Sequence, residues 1–75
     1  MKSKKITTYH NNGSVSYEAW HVNGRRHRAD GPAEIWYNDD GSVMYEEWWI
    51  DGRKLTRDEF VAWRRKRIID AMIKE

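Results

Sequence analysis

Three kinds of side chain in this 75-residue chain could do chemistry: imidazoles, carboxylates set beside tryptophan, and a run of cations. His10, His21 and His27 would make a metal site only if they converged, with a carboxylate such as Asp30 completing the set. None stands four residues from another, and no cysteine supplies a thiolate, so neither a metal nor another cofactor is expected. A better use for His27 and Arg28 is to hydrogen-bond around the turn at Asp30-Gly31-Pro32. Glu18, Glu46 and Glu47 stand near tryptophans, and a carboxylate pair in such a place suggests glycoside hydrolysis. Arg64-Arg65-Lys66-Arg67 is the densest cationic run and, with Lys2, Lys4 and Lys5, suggests nucleic-acid binding. Four consecutive helical residues point around most of the circle, however, so the run makes no one-sided stripe. Lys66 also has Asp70 one turn on as an ion-pair partner.

An internal repeat must position these residues. Residues 11–25 align without a gap on residues 39–53, at an offset of 28. Gly13/Gly41, Ser14/Ser42, Val15/Val43, Tyr17/Tyr45, Glu18/Glu46, Trp20/Trp48, Gly24/Gly52 and Arg25/Arg53 are identical, and Tyr9/Tyr37 extends the match upstream. Within each copy an aromatic stands four residues before a glycine that follows Asn or Asp. Asn-Gly and Asp-Gly mark tight primed turns, so hairpin turns are expected at Gly13, Gly24, Gly41 and Gly52, with a fifth break at Gly31-Pro32. Between the turns lie β-type runs at 5–10, 14–22, 25–29, 33–38 and 42–50, some of them with aromatics on both faces. Glu18 and Glu46 are repeat equivalents, which makes them structural, paired across strands with Arg25, Arg26 or Arg53. A chain this short also has little room for a catalytic cleft, so no enzyme is expected.

The period changes at the end of the chain. Thr56 and Glu59 form a capping box, and Phe60 to Ile73 reads as helix, with Val61, Ala62, Ile68, Ile69 and Met72 on one broad face. That face is expected to pack on the sheet. The fold class is therefore mainly β with a C-terminal helix, a twisted antiparallel hairpin-repeat meander of five or six strands. Residues 1–75 form one domain: two hairpin repeats over 6–55 and a capping helix over 56–75.

These repeats resemble MORN-type repeats of the antitoxin-like variant. They are closer still to short β-hairpin repeat proteins common in bacteriophages and large DNA viruses, which share patterns similar to Trp20-His21-Val22-Asn23-Gly24, His27-Arg28-Ala29-Asp30-Gly31-Pro32-Ala33 and the segment Asp51 to Phe60. The resemblance covers roughly residues 9–60 and implies a β-hairpin repeat fold of viral or mobile-element origin, with no catalytic residues to carry over. A second His-Arg copy is missing, since Leu55 and Thr56 stand in its place.

Function is expected to be protein binding, as a phage accessory module that engages and inhibits or redirects a host protein. Trp36, Trp49 and Trp63 are the aromatics left over from a small core, and Arg64 and Arg67 flank the last of them as partner-binding residues. Nucleic-acid binding through the basic ends, or homo-oligomerisation through a sheet edge or the Ile68-Ile69-Met72-Ile73 patch, are the alternatives. With no cysteine, no apolar stretch behind the N-terminal lysines and no run long enough to span a bilayer, a cytoplasmic setting without a membrane partner is expected.

Overall fold

The alternating runs form one antiparallel sheet of six strands, and a helix follows. The order is β1 (Ser3–Tyr9), β2 (Val15–Val22), β3 (Arg25–Arg26), β4 (Glu34–Tyr37), β5 (Val43–Ile50), β6 (Arg53–Leu55) and α1 (Arg57–Ile73). The computed structural model describes residues 2–73, so the last two residues of the expected 56–75 cap lie outside the described residues. Strands lie in the order β1-β2-β4-β5-β6, with β3 pairing β2 beside β4. The 28-residue offset superposes the strands: β2 and β5 have identical repeat bounds, β1 corresponds to β4, and β3 to β6. The expected third strand shortens to two residues, because Arg28 turns away to bond the Trp49 carbonyl and begins the bend through Gly31 and Pro32. Among the described residues no helix is long and apolar enough to cross a membrane.

The four turns are of two kinds, which corrects the expectation of four primed turns. At Asn23-Gly24 and Asp51-Gly52 both central residues have positive φ (52° and 81°, 51° and 81°), the two-residue hairpin geometry that Asn-Gly and Asp-Gly favour. At Gly13 and Gly41 only the glycine is left-handed, and the amides of Gly13 and Gly41 bond back to the carbonyls of His10 and Asn38. Those are three-residue loops, a turn closed by a glycine bulge. Their Asn12 and Asp40 side chains accept from both the amide and the hydroxyl of Ser14 and Ser42, which explains the recurring Asx-Gly-Ser. Gly24→Val should cost more than about 1 kcal/mol. A Cβ there would touch nothing within 4 Å, so the cost is purely that of the left-handed backbone. A thermal melt checks it, and an unchanged midpoint would contradict the turn assignment.

The sheet is a single layer for most of its length, in a molecule of 50 × 26 × 20 Å. Among the described residues only Ala19, Ala33, Glu34, Ile35 and Phe60 are buried. Helix α1 starts at the expected box: the Glu59 carboxylate accepts the Thr56 amide at 2.8 Å and the Glu59 amide donates to the Thr56 hydroxyl at 3.1 Å. The expected face does not pack, however. Phe60 docks on Trp48 at 6.5 Å between ring centroids, Trp63 stacks on Phe60 at 5.9 Å, and Val61, Ile68, Ile69 and Met72 are exposed. The aromatic pair, not the aliphatic stripe, supplies the larger contact on a narrow sheet end.

Candidate functional site

Strand register sorts the side chains onto two faces. The front face carries the row Tyr17, Trp36, Tyr45, each opposite the next across β2, β4 and β5. Trp36 is thus the centre of an aromatic ladder, 5.1 Å from Tyr17 and 5.4 Å from Tyr45. The next row holds Ala19, Glu34 and Glu47. Glu34 is buried and accepts the Tyr17 hydroxyl and the Arg26 guanidinium, the latter at 3.1 Å. Arg26 also lies 4.8 Å above the Trp49 ring, and the Trp49 indole N–H donates to Glu47, which Lys54 neutralises at 3.1 Å. Burial, followed by the Glu34 hydrogen bond, pushes the Tyr17 phenol up to about 12. Burial works upward on Glu47 too, but hydrogen bonds from Trp49 and Lys54 prevail and hold its carboxyl below its ordinary value.

The back face repeats the theme around Trp20. Lys5 lies 5.2 Å and Arg28 3.8 Å from that ring. Glu18 takes Lys5 at 2.9 Å and the Tyr37 hydroxyl at 2.7 Å. The Glu18 bond, reinforced by burial, raises the Tyr37 phenol to about 12. Burial acts upward on Glu18, yet the bonds from Lys5 and Tyr37 outweigh it and lower its pKa. Arg28 holds the Gly31-Pro32 bend by bonding Asp30 at 2.9 Å and the Pro32 carbonyl at 3.1 Å, and a Cβ on Gly31 would stand 3.1 Å from its guanidinium carbon. His27 does not share this work as expected; its Nδ1 accepts the Asp51 amide at 3.0 Å and ties the first repeat to the second. His10 reaches the Tyr37 carbonyl instead of either other histidine, and among the described residues no group of acids and imidazoles is placed to hold a metal.

Lys5 holds Glu18 where an arginine was expected, and Lys54 holds Glu47. Glu46 has neither an ion pair nor a side-chain hydrogen bond among the described residues. Trp36, Trp49 and Trp63 are all half-buried, and each has a ring or a cation of its own chain against it. Trp63 stacks on Phe60, the residue that α1 buries, and Arg67 lies 4.9 Å from its ring. Arg64 is exposed and helps to hold the Asp30 carboxyl below its ordinary value, after the larger effect of Arg28. What remains open is the other side of α1, where Phe60, Val61, Arg64, Arg65, Ile68 and Ile69 line a shallow groove. The helical period found these residues in the sequence, but the partner it assigned them was the sheet. Glu34 gave no sequence signal, since its equivalent 28 residues upstream is Ile6 and its own strand is otherwise apolar or aromatic.

Comparison with family models, with curated proteins and with solved structures found no match.

Proposed function

We propose that this chain is a non-enzymatic protein-interaction module whose recognition element is α1. One observation carries the reading: Val61, Ile68, Ile69, Met72 and Ile73 form an apolar face that the sheet leaves exposed, Met72 at 78% and Ile73 at 71%. Such a face fits a hydrophobic groove on a partner, with anchors at helical spacing. Arg64 and Arg65 border it, so the matching groove carries an acidic rim. Two of the three carboxylates that suggested hydrolysis support the non-enzymatic reading, because Glu18 and Glu47 are committed to lysine, tyrosine and tryptophan partners. The resemblance of the repeats to viral hairpin proteins supplies the setting: a phage-encoded protein acting on a host protein in the host cytoplasm, by masking it. Nucleic-acid binding is the second reading, favoured by Lys2, Lys4, Lys5 and the Arg64–Arg67 run.

The test uses the paired substitution Ile69→Asp/Met72→Asp. Both residues are exposed, so the melting midpoint should hold to within about 0.5 kcal/mol of stability. Immobilised wild-type chain should retain a host protein from bacterial lysate at high salt, and the variant should release it. Retention by both alike would overturn the helix-face assignment. Nucleic acid retained at low salt and shed steeply as salt rises would favour the second reading.

A further inference from the structure

The two-repeat sheet is open at both ends, and the ends match. Inside the chain the first strand of the second repeat, β4, joins the outer edge of β2, with Tyr17 opposite Trp36, Glu18 opposite Ile35 and Ala19 opposite Glu34. Side chains tie this joint: the Tyr37 hydroxyl donates to Glu18 at 2.7 Å, and Asn12 donates to the Asp39 carbonyl at 3.0 Å. On β5 the corresponding edge is covered by β6 only along Trp48, Trp49 and Ile50. Residues 43–47 therefore have no strand beside them on that side among the described residues. At the far end β1, the repeat equivalent of β4, is paired to β2 on one edge and, among the described residues, to no strand on the other.

The side chains at these ends are those the internal joint encloses. Tyr9, equivalent to Tyr37, is 65% exposed, and Tyr45, equivalent to Tyr17, is 50% exposed. Glu46, equivalent to Glu18, has no counterpart of the Tyr37 hydroxyl among the described residues. Charge is complementary as well: β1 brings Lys4, whereas β5 carries Glu46, which has no ion pair among the described residues, and the first turn of α1 carries Asp58.

We propose that copies of this chain associate head to tail, β1 of one copy adding to the open edge of β5 of the next in the register of the β2–β4 joint. Tyr45 then faces Thr8, Glu46 faces Thr7 and Glu47 faces Ile6 of the second copy, whose Tyr9 hydroxyl donates to Glu46, while its Ser3, Lys4 and Lys5, which this register would set against the stretch that β6 covers, peel away from the edge. Main-chain hydrogen bonds supply the affinity. The contact is heterologous, so it continues the sheet from copy to copy instead of closing a two-fold pair. Thr8 stands where the internal joint has Trp36, and Ile6 where it has Glu34, so the joint between copies is weaker than the internal one and association depends on concentration. The surface is distinct from the apolar face of α1, and each assignment can fail without the other.

Antiparallel alternation turns the amides of Thr7 and Glu46 outward, so proline at either position removes an edge donor without breaking the ladder inside the chain. In sedimentation across the micromolar-to-millimolar range, the wild-type mass should climb with concentration. Thr7→Pro and Glu46→Pro should each remain monomeric alone, whereas their equimolar mixture should form a one-to-one dimer that grows no further. The gentler Tyr9→Phe, which keeps the fold whatever the prolines do, should weaken wild-type association several-fold. Ile69→Asp/Met72→Asp should associate as the wild type does, which separates this edge from the helix face. A wild-type chain that stays monomeric throughout, proline variants that self-associate singly, or a mixture that fails to pair while the wild type associates would each overturn the proposal.

Discussion

Phe60→Ala should lower stability by about 3 kcal/mol, near the low end for removing a buried aromatic. Phe60 is 5% exposed and is the residue that α1 buries. Its ring lies between Trp48 on the sheet and Trp63 one turn along the helix, so its loss opens both contacts at once. For a domain of this size the shift corresponds to a fall of more than about 10 °C in melting midpoint. The tryptophan near-ultraviolet circular dichroism should change with it, because two of the five indoles lose an ordered neighbour. An exposed control such as Met72→Ala should change stability by less than about 0.5 kcal/mol. Equal effects from the two substitutions would mean that the aliphatic stripe packs after all.

The contrast between Phe60 and the aliphatic stripe shows where sequence periodicity stops being informative. The wheel finds Val61, Ile68, Ile69 and Met72 on one side of α1, but it holds no information about which side meets the sheet. That choice is made by the partner surface, the end of β5 and β6, which offers the large ring of Trp48. A contact to one aromatic is best filled by another, so Phe60 and Trp63 take it. The turns divide in the same way. Asx-Gly places all four, but the three-residue loops at Gly13 and Gly41 depend on Ser14 and Ser42 locking the preceding Asx side chain, a feature visible in the repeat and easily passed over. The antiparallel sheet and the places of its long strands are legible because the repeat is so regular, whereas the pairing of β4 with β2 past a two-residue β3 is not. The long-range ties are not legible either, since Tyr37 to Glu18 and Asp51 to His27 join residues in different repeats with no spacing rule to predict them.

Glu34→Ala should cost about 2 kcal/mol, because it strands a partly buried phenol and frees the guanidinium that caps Trp49. Glu34 is itself only 4% exposed, and a carboxylate that deep persists through its partners, here Tyr17 and Arg26. The pair also gives the protein an alkaline signature. The folded-state pKa of Tyr17 stands at about 12 against an ordinary 10.0, so its contribution to stability is complete below pH 10. As pH rises, the unfolded chain loses the phenol proton first, and stability falls until the folded phenol ionises as well. Tyr37 has the same displacement and adds to the same window. Glu34→Gln separates the causes. Burial, the larger one, remains, but the carboxylate's charge and its bond to the phenol are altered, so the Tyr17 titration should move part of the way back toward 10. Phenolate absorbance followed through an alkaline titration of the folded protein reads this directly. One tyrosine should titrate earlier in Glu34→Gln than in the wild type, with Tyr37 unmoved because its partner is Glu18. Identical titrations in the two proteins would show that Glu34 does not hold the Tyr17 proton.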